Sequence, residues 1–186
     1  MIEFVPAYVD GTLTAVEKLE VHRRGLRHLA ISVFVMNGSR TLLQRRALGK
    51  YHTPGLWTNT CCTHPRWGED AAACAKRRLQ EELGITGLTL HRAGRTEYRA
   101  DVGAGLIEHE IVDLFVAEAP QSLTVAPNPA EVIDTEWVGL ADLALKIQRA
   151  RLGLLYKPTP WLRIYLAEGW GKVAETLSLQ SATSHA

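Results

Sequence analysis

Residues 28 to 36, HLAISVFVM, alternate along a run rich in β-branched and aromatic side chains, and Asn37 and Gly38 follow at once, before a second run, TLLQRR. β-Branched and aromatic residues suit a pleated surface, and an Asn-Gly pair supplies the positive φ angles of a tight hairpin turn. A hairpin is therefore predicted. Further strands are predicted near residues 88–100, 106–117 and 133–138, with the VGAG turn making a second hairpin. From Glu69 to Leu83 the chain is dense in Ala and Leu, with acidic residues in the first turn and Gly84 as a stop, which predicts a helix. Residues 140–150, LADLALKIQRA, have helical spacing, and Thr159 followed by Pro160 marks another helix start. The fold class is α/β of the α+β kind, with a mixed sheet and flanking helices.

With 186 residues and 46% hydrophobic content the chain fits a single domain, here 1–176 with an N-terminal extension, ending in a polar tail over 177–186. The 21 basic and 20 acidic residues nearly cancel, so no global field draws the chain to nucleic acid, and any anion site must be a local cluster. The start, MIEFVPAYVD, lacks a basic region followed by an apolar run, and no segment approaches the roughly 20 apolar residues of a membrane span. A soluble, unprocessed, cytoplasmic protein without membrane or nucleic-acid partners is expected, as a monomer or weak homodimer. Cys61 and Cys62 are adjacent, ill-suited to a mutual bridge, so the three cysteines are expected as free thiols.

Between Gly49 and Gly68 the density of Gly, Pro, Thr and Asn predicts a long irregular loop, the kind that carries function. It contains WTNTCCTHP, Trp57 to Pro65, and the helix after it ends RRLQEELGI, Arg77 to Ile85. A thiol, an imidazole, paired arginines and paired carboxylates so close together suit metal-assisted chemistry on a phosphorylated substrate. Glu108 and Glu110 lie two apart in a predicted strand, on one face with Val112, Leu114 and Val116. Two ionised carboxylates on an apolar face need a cation, a shared proton or a solvated cleft. An edge strand with a solvated end fits the spacing equally well. His22, His28 and His64 taken singly read as surface or core residues; with the glutamate pair they make a donor set for manganese, zinc, iron or magnesium. No CxxC pair is present, which disfavours structural zinc.

On the helix, Cys74, Arg78 and Glu82 share a face and Arg77 and Glu81 make a neighbouring pair: either charge-balanced surface or a grip on diphosphate, direct and through a divalent cation. Arg45, Arg46 and Lys50 form a second basic cluster. Cys62 reads either as a small buried hydrophobe or as a reactive thiol beside a histidine. Trp161 reads as a core or lid residue with an indole face suited to cations.

The run from Thr63 to Ile85 resembles the Nudix box: Glu69, Arg77, Leu79, Glu81, Glu82, Gly84 and Ile85 fit it, while Thr63 replaces its Gly and Arg78 replaces a metal-binding Glu of the hydrolases. These departures, with WTNTCCTHP, IEHEI and TPW, resemble the type 1 isopentenyl-diphosphate isomerase family over about Lys18 to Trp161. The resemblance implies a Nudix-type α/β/α sandwich and interconversion of isopentenyl and dimethylallyl diphosphate. It implies Cys62 and Glu110 as the acid–base pair, Tyr98 hydrogen-bonded near the acid, and Trp161 over the reacting carbons. Metal ligands fall on His22, His28, His64, Glu108 and Glu110, with manganese or another divalent ion there. Glu82 would hold the magnesium that accompanies the diphosphate, and Lys18, Arg46, Lys50 and Arg78 the diphosphate itself. The His22 to His28 interval is one residue shorter than in bacterial members, and His22 is expected in a loop. The competing readings are a Nudix hydrolase of a nucleoside or other diphosphate, which Arg78 opposes, and a silent Nudix-like binding module, which would tolerate loss of Cys62.

Overall fold

The computed structural model describes residues 2–150, 156–169 and 171–176, so the predicted polar tail lies outside the described residues. The N-terminal extension is a hairpin of β1 (Phe4–Val9) and β2 (Thr12–Glu17). Its two turn residues, Asp10 and Gly11, both take positive φ (48° and 80°), the requirement of a turn whose twist matches its strands. Helix α1 (Lys18–Arg24) follows, started by the Glu17 carboxylate, which accepts from the Leu19 and Glu20 amides, and stopped by left-handed Gly25. His22 therefore sits on a capped helix, not in the expected loop, and its ring is fully buried.

Strand β3 (Arg27–Asn37) turns into β4 (Arg40–Arg46) as predicted, although Asn37 pairs with Arg40 and the turn itself is Gly38–Ser39. β3 is the hub of the sheet. It runs parallel to β8 (Leu106–Glu118), which pairs antiparallel with β7 (His91–Gly103) through the VGAG turn. β4 pairs antiparallel with β9 (Val132–Gly139), so the sheet is mixed. The region from 49 to 68 is more ordered than its composition predicts: β5 (Trp57–Thr58) pairs with β4, and β6 (Cys61–Thr63) pairs with β3. The order comes from side chains. Asn59 Nδ2 donates toward Ser32 Oγ and the carbonyls of Val33 and Cys61 at 2.7, 2.9 and 3.0 Å, and Thr60 Oγ1 donates to Leu42 O at 2.6 Å. Polar turn-forming residues thus satisfy the strands they would otherwise interrupt.

Helix α2 (Ala71–Leu83) is capped by Asp70, whose carboxylate accepts from the Ala72 and Ala73 amides; the acidic residues precede the first turn instead of filling it. α2 buries Cys74, Ala75, Leu79 and Leu83 against Ile31, Val33 and Val35 of β3 and Phe115 of β8. The opposite face of the sheet buries Ala30, Phe34, Val112, Leu114 and Val116 against Trp161 and Leu162 of α4 (Pro160–Ile164) and Tyr165 in the π-helical turn that continues it. Thr159 caps α4 with Pro160 at its first position, as predicted. α3 (Leu140–Ala150) lies between β9 and α4 in sequence. No helix among the described residues is long and apolar enough to cross a membrane.

Candidate active site

The face of β8 that carries Val112, Leu114 and Val116 ends in Glu110 and Glu108, which are only 2% and 3% exposed. The solvated-edge reading of that pair fails, because β8 lies between β3 and β7. Register places His28 beside Glu110 on one flank and Tyr98 beside it on the other. Tyr98 Oη lies 2.8 Å from both Glu108 Oε2 and Glu110 Oε2. A phenol has one proton, so serving both carboxyls at once requires a proton on one of them. Burial and the neighbouring Glu110 charge push Glu108 well above the usual carboxylate range. Burial works the same way on Glu110, but the hydrogen bond from His64 and the adjoining His28 ring outweigh it and hold that carboxyl well below the range. The two carboxyls are thus pushed apart, Glu108 toward holding a proton and Glu110 toward losing one.

Three imidazoles converge on Glu110. His64 Nε2 lies 2.9 Å and His28 Nε2 3.7 Å from Glu110 Oε1, with the two ring nitrogens 3.1 Å apart. His22 Nδ1 is 2.6 Å from Lys18 O and His28 Nδ1 2.7 Å from Leu26 O. A carbonyl only accepts, so both Nδ1 atoms carry hydrogen and both Nε2 atoms present lone pairs. Burial pushes His22 down to about 4 and His64 well below its ordinary value, which favours the neutral, ligating form. His22, His28, His64 and Glu110 each offer one ligand atom, all within 4.8 Å of one another; His22, His52 and Glu108 make a second such group. Imidazole lone pairs and a carboxylate aimed at one another fit a divalent metal ion, which would supply the positive charge this cluster lacks.

The adjacent cysteines part company. Cys61 is fully buried in the α2 core, while Cys62 is half-buried on the opposite face, its Sγ 3.6 Å from Tyr165 Oη. Burial and the Glu110 and Glu108 charges raise the Cys62 thiol, so it holds its proton. Cys62 and both glutamates line a cavity of about 30 Å³ with His52, His64, Glu82 and the basic residues Lys18, Arg46, Lys50 and Arg78. Each of those cations already faces an anion or a ring. Lys18 Nζ is 2.9 Å from Glu3, Lys50 is paired with Glu131, and Arg78 lies 2.6 Å from Glu82 and 3.3 Å from Glu131. Arg46 stacks 5.3 Å over the Trp161 ring, its Nε buried without a partner. Gln44 holds the other Glu82 oxygen at 2.8 Å. Arg45, by contrast, turns outward to Gly55 O, and Arg77 serves Glu69 and Glu81, so neither joins the site.

Trp161 Nε1 donates to Thr58 Oγ1 at 2.7 Å, Thr58 to Asn59 at 3.1 Å, and Asn59 to the Cys61 carbonyl at 3.0 Å, tying α4 to the strand that carries Cys62. Sequence reasoning missed His52, Tyr165, Gln44, Glu3 and Glu131. His52 alone carried a signal, an imidazole in a Pro- and Gly-rich segment; the others resemble ordinary surface or core residues.

A NUDIX domain model matches residues 26–162. The chain belongs to the NUDIX family. Its curated relatives narrow that further. It is 68% identical over 168 residues to an isopentenyl-diphosphate Delta-isomerase of Cereibacter sphaeroides, covering 90% of this chain and 93% of the relative. It is 61% identical over 178 residues to the isopentenyl-diphosphate Delta-isomerase of Dinoroseobacter shibae, covering 96% and 99%. The chain belongs with these isomerases inside the NUDIX family. Among solved structures, a Deinococcus radiodurans protein matches with TM-score 0.64 at 14% identity over 83% of this chain and 93% of that one. A MutT NUDIX hydrolase from Burkholderia pseudomallei matches with TM-score 0.57 at 21% identity, over 76% and 97%. These two share the fold, the α/β/α arrangement expected from the Nudix box.

Proposed function

We propose that this protein interconverts isopentenyl and dimethylallyl diphosphate, with Cys62 and Glu110 as the two acid–base groups. The observation that carries the reading is their joint lining of one cavity; burial and the nearby carboxylates push the Cys62 thiol up, while the imidazoles beside Glu110 pull its carboxyl down. Moving a double bond by one carbon needs a proton delivered to the alkene, giving a tertiary carbocation, and a proton removed from the neighbouring carbon. One group starts protonated and the other bare, and the reverse reaction starts from the exchanged state. Tyr98 and His64 orient Glu110, Tyr98 through its hydroxyl and His64 through Nε2. Trp161, buried against the core, would exclude water that would trap the cation as an alcohol, and an indole face favours positive charge.

The diphosphate falls to Lys18, Arg46, Lys50 and Arg78. The unpartnered Arg46 Nε and the proximity of all four to Glu82 support this assignment. Glu82 would hold magnesium with the diphosphate, and His22, His28, His64, Glu108 and Glu110 would hold manganese or a similar ion. When bound, that ion supplies a fixed positive charge that lowers the proton affinity of its carboxylates. Arg78 occupies the box position where hydrolases place a metal-binding glutamate, and its 2.6 Å pair with Glu82 disfavours a multi-metal hydrolytic site. The site is read as cytoplasmic and independent of nucleic acid or membrane.

The test is incubation with isopentenyl diphosphate and magnesium in deuterated water. Dimethylallyl diphosphate bearing deuterium supports the assignment; release of phosphate or pyrophosphate without isomer would refute it.

A further inference from the structure

His52 lies outside the metal residues implied by the family resemblance, yet it is built into the same cluster. Its side chain is 5% exposed, with Nε2 3.6 Å from Glu108 Oε1. Its ring stacks on His22, centroids 5.5 Å apart at 27°. The imidazole is fixed from behind: Nδ1 lies 3.1 Å from Thr53 Oγ1, and the His52 carbonyl accepts from Arg46 Nη2 at 3.2 Å. Thr53 has φ 46°, a region that a β-branched residue enters only at a cost of about 1–3 kcal/mol. That strained residue is the one whose hydroxyl meets the ring. A hydroxyl taking the Nδ1 hydrogen leaves a lone pair on Nε2, which faces Glu108 at a distance too long for a hydrogen bond. Two donors each about 2.1 Å from one ion stand up to about 4.2 Å apart, so the separation suits a shared cation.

His22 decides how many ions are involved. It belongs to both donor groups, the one with His28, His64 and Glu110 and the one with His52 and Glu108. Its Nδ1 is committed to Lys18 O, so only the Nε2 lone pair remains, and one lone pair serves one ion. We infer that His52 is a further ligand of the metal centre, joining the single ion from the Glu108 side. The ring is thus a donor with its own supporting hydrogen bond, the arrangement by which ligating histidines are held in a defined tautomer. The inference rests on the metal-centre reading given above.

The experiment compares the metal-free full-length chain with its His52→Ala and His52→Gln variants, each titrated with Co²⁺ against a competing chelator. Ions per chain, affinity and the visible cobalt spectrum are recorded. The wild type should take one ion, and both variants should bind about tenfold or more weakly with an altered spectrum, since losing even an outer-shell partner costs about 10–100-fold. Circular dichroism of the metal-free variants checks their fold, and if His52→Ala unfolds, the bulkier His52→Gln decides. Wild-type affinity and an unchanged spectrum in the folded variants overturn the role of His52 alone. A wild-type chain that takes up no ion overturns the metal-centre reading and this inference together.

Discussion

Cys61 and Cys62 are neighbours in the chain and lie on opposite faces of the sheet. β6 pairs antiparallel with β3, Cys61 against Val33 and Cys62 against Ser32, and strand alternation sends one thiol to α2 and the other to Tyr165 and the cavity. Chemistry follows from that two-residue period.

The two thiols should therefore respond differently to truncation. Cys62→Ala is expected to abolish isomerisation with little change in the urea midpoint. Cys61→Ala should keep near-normal turnover and lose on the order of 1 kcal/mol of stability, as a small core deletion does. Steady-state assays and urea melts on both variants check this, and equal turnover in the two would contradict the assignment.

Removing the Tyr98 hydroxyl tests the carboxyl pair. In Tyr98→Phe neither Glu108 nor Glu110 keeps its phenolic partner, and a buried carboxylate that loses a donor is worse off by roughly 1–3 kcal/mol. Turnover is expected to fall about tenfold to a hundredfold, with the pH optimum moved, because Glu110 needs more base to ionise. The kcat profile against pH measures it. An unshifted profile would show that Tyr98 only packs.

Much of this site is readable in the sequence, and the reason is periodicity. Glu108 and Glu110 on the apolar face of β8 are a conflict that burial makes acute, and such conflicts are visible in an alternating pattern. Arg78 and Glu82, four apart on α2, are visible for the same reason. What periodicity cannot reach is contact made across the fold. Glu131 meets Lys50 and Arg78 from the loop before β9, and Glu3 meets Lys18 from just before β1; each is an unremarkable acid in its own segment. The β1–β2 hairpin did carry a local signal, the Asp10–Gly11 pair, while α1 carried little, being seven residues long and capped by an unusual glutamate. The irregular composition of residues 49–68 concealed two short strands, because Asn59 and Thr60 bond to neighbouring strands instead of their own turn.

The buried histidines set the acid limit of the metal-free protein. His22 is lowered to about 4 from 6.5, so between those values the unfolded chain binds more protons than the folded one. The His22 contribution is fully present above about pH 6.5, declines as pH falls toward 4 and is gone below it, a loss of roughly 3 kcal/mol. Denaturant melts of the metal-stripped chain should show this decline, and His22→Asn should make it shallower, His52 and His64 supplying the rest. Metal-loaded protein should lose its ion across the same range, since protons and the ion compete for the same lone pairs.

Arg78 is the residue on which the departure from the hydrolase pattern turns. Arg78→Met keeps an unbranched aliphatic stem but frees Glu82, which retains Gln44 as a partner. The expected result is a KM for isopentenyl diphosphate raised about tenfold or more with a smaller loss in kcat, because a charge-assisted grip on phosphate is worth about 1.5–3 kcal/mol and acts on bound substrate throughout. A fall in kcat with KM unchanged would move Arg78 from binding to the chemical step.

The tie between α4 and β6 yields the last expectation. Trp161 Nε1 donates to Thr58, Thr58 to Asn59, and Asn59 to the Cys61 carbonyl, so the indole and the strand of the proposed acid–base thiol are held by one chain of hydrogen bonds. Asn59→Ala removes the central link and leaves the Ser32 hydroxyl and two carbonyls without that donor, a cost of about 2–4 kcal/mol for buried groups. Thr58→Val removes both bonds of the Thr58 hydroxyl, from Trp161 and to Asn59, but leaves Asn59 its bonds to Ser32, Val33 and Cys61, and should cost less stability yet still lower kcat, because the indole loses its fixed orientation. If Trp161 served packing alone, Thr58→Val would lower the urea midpoint and leave kcat unchanged.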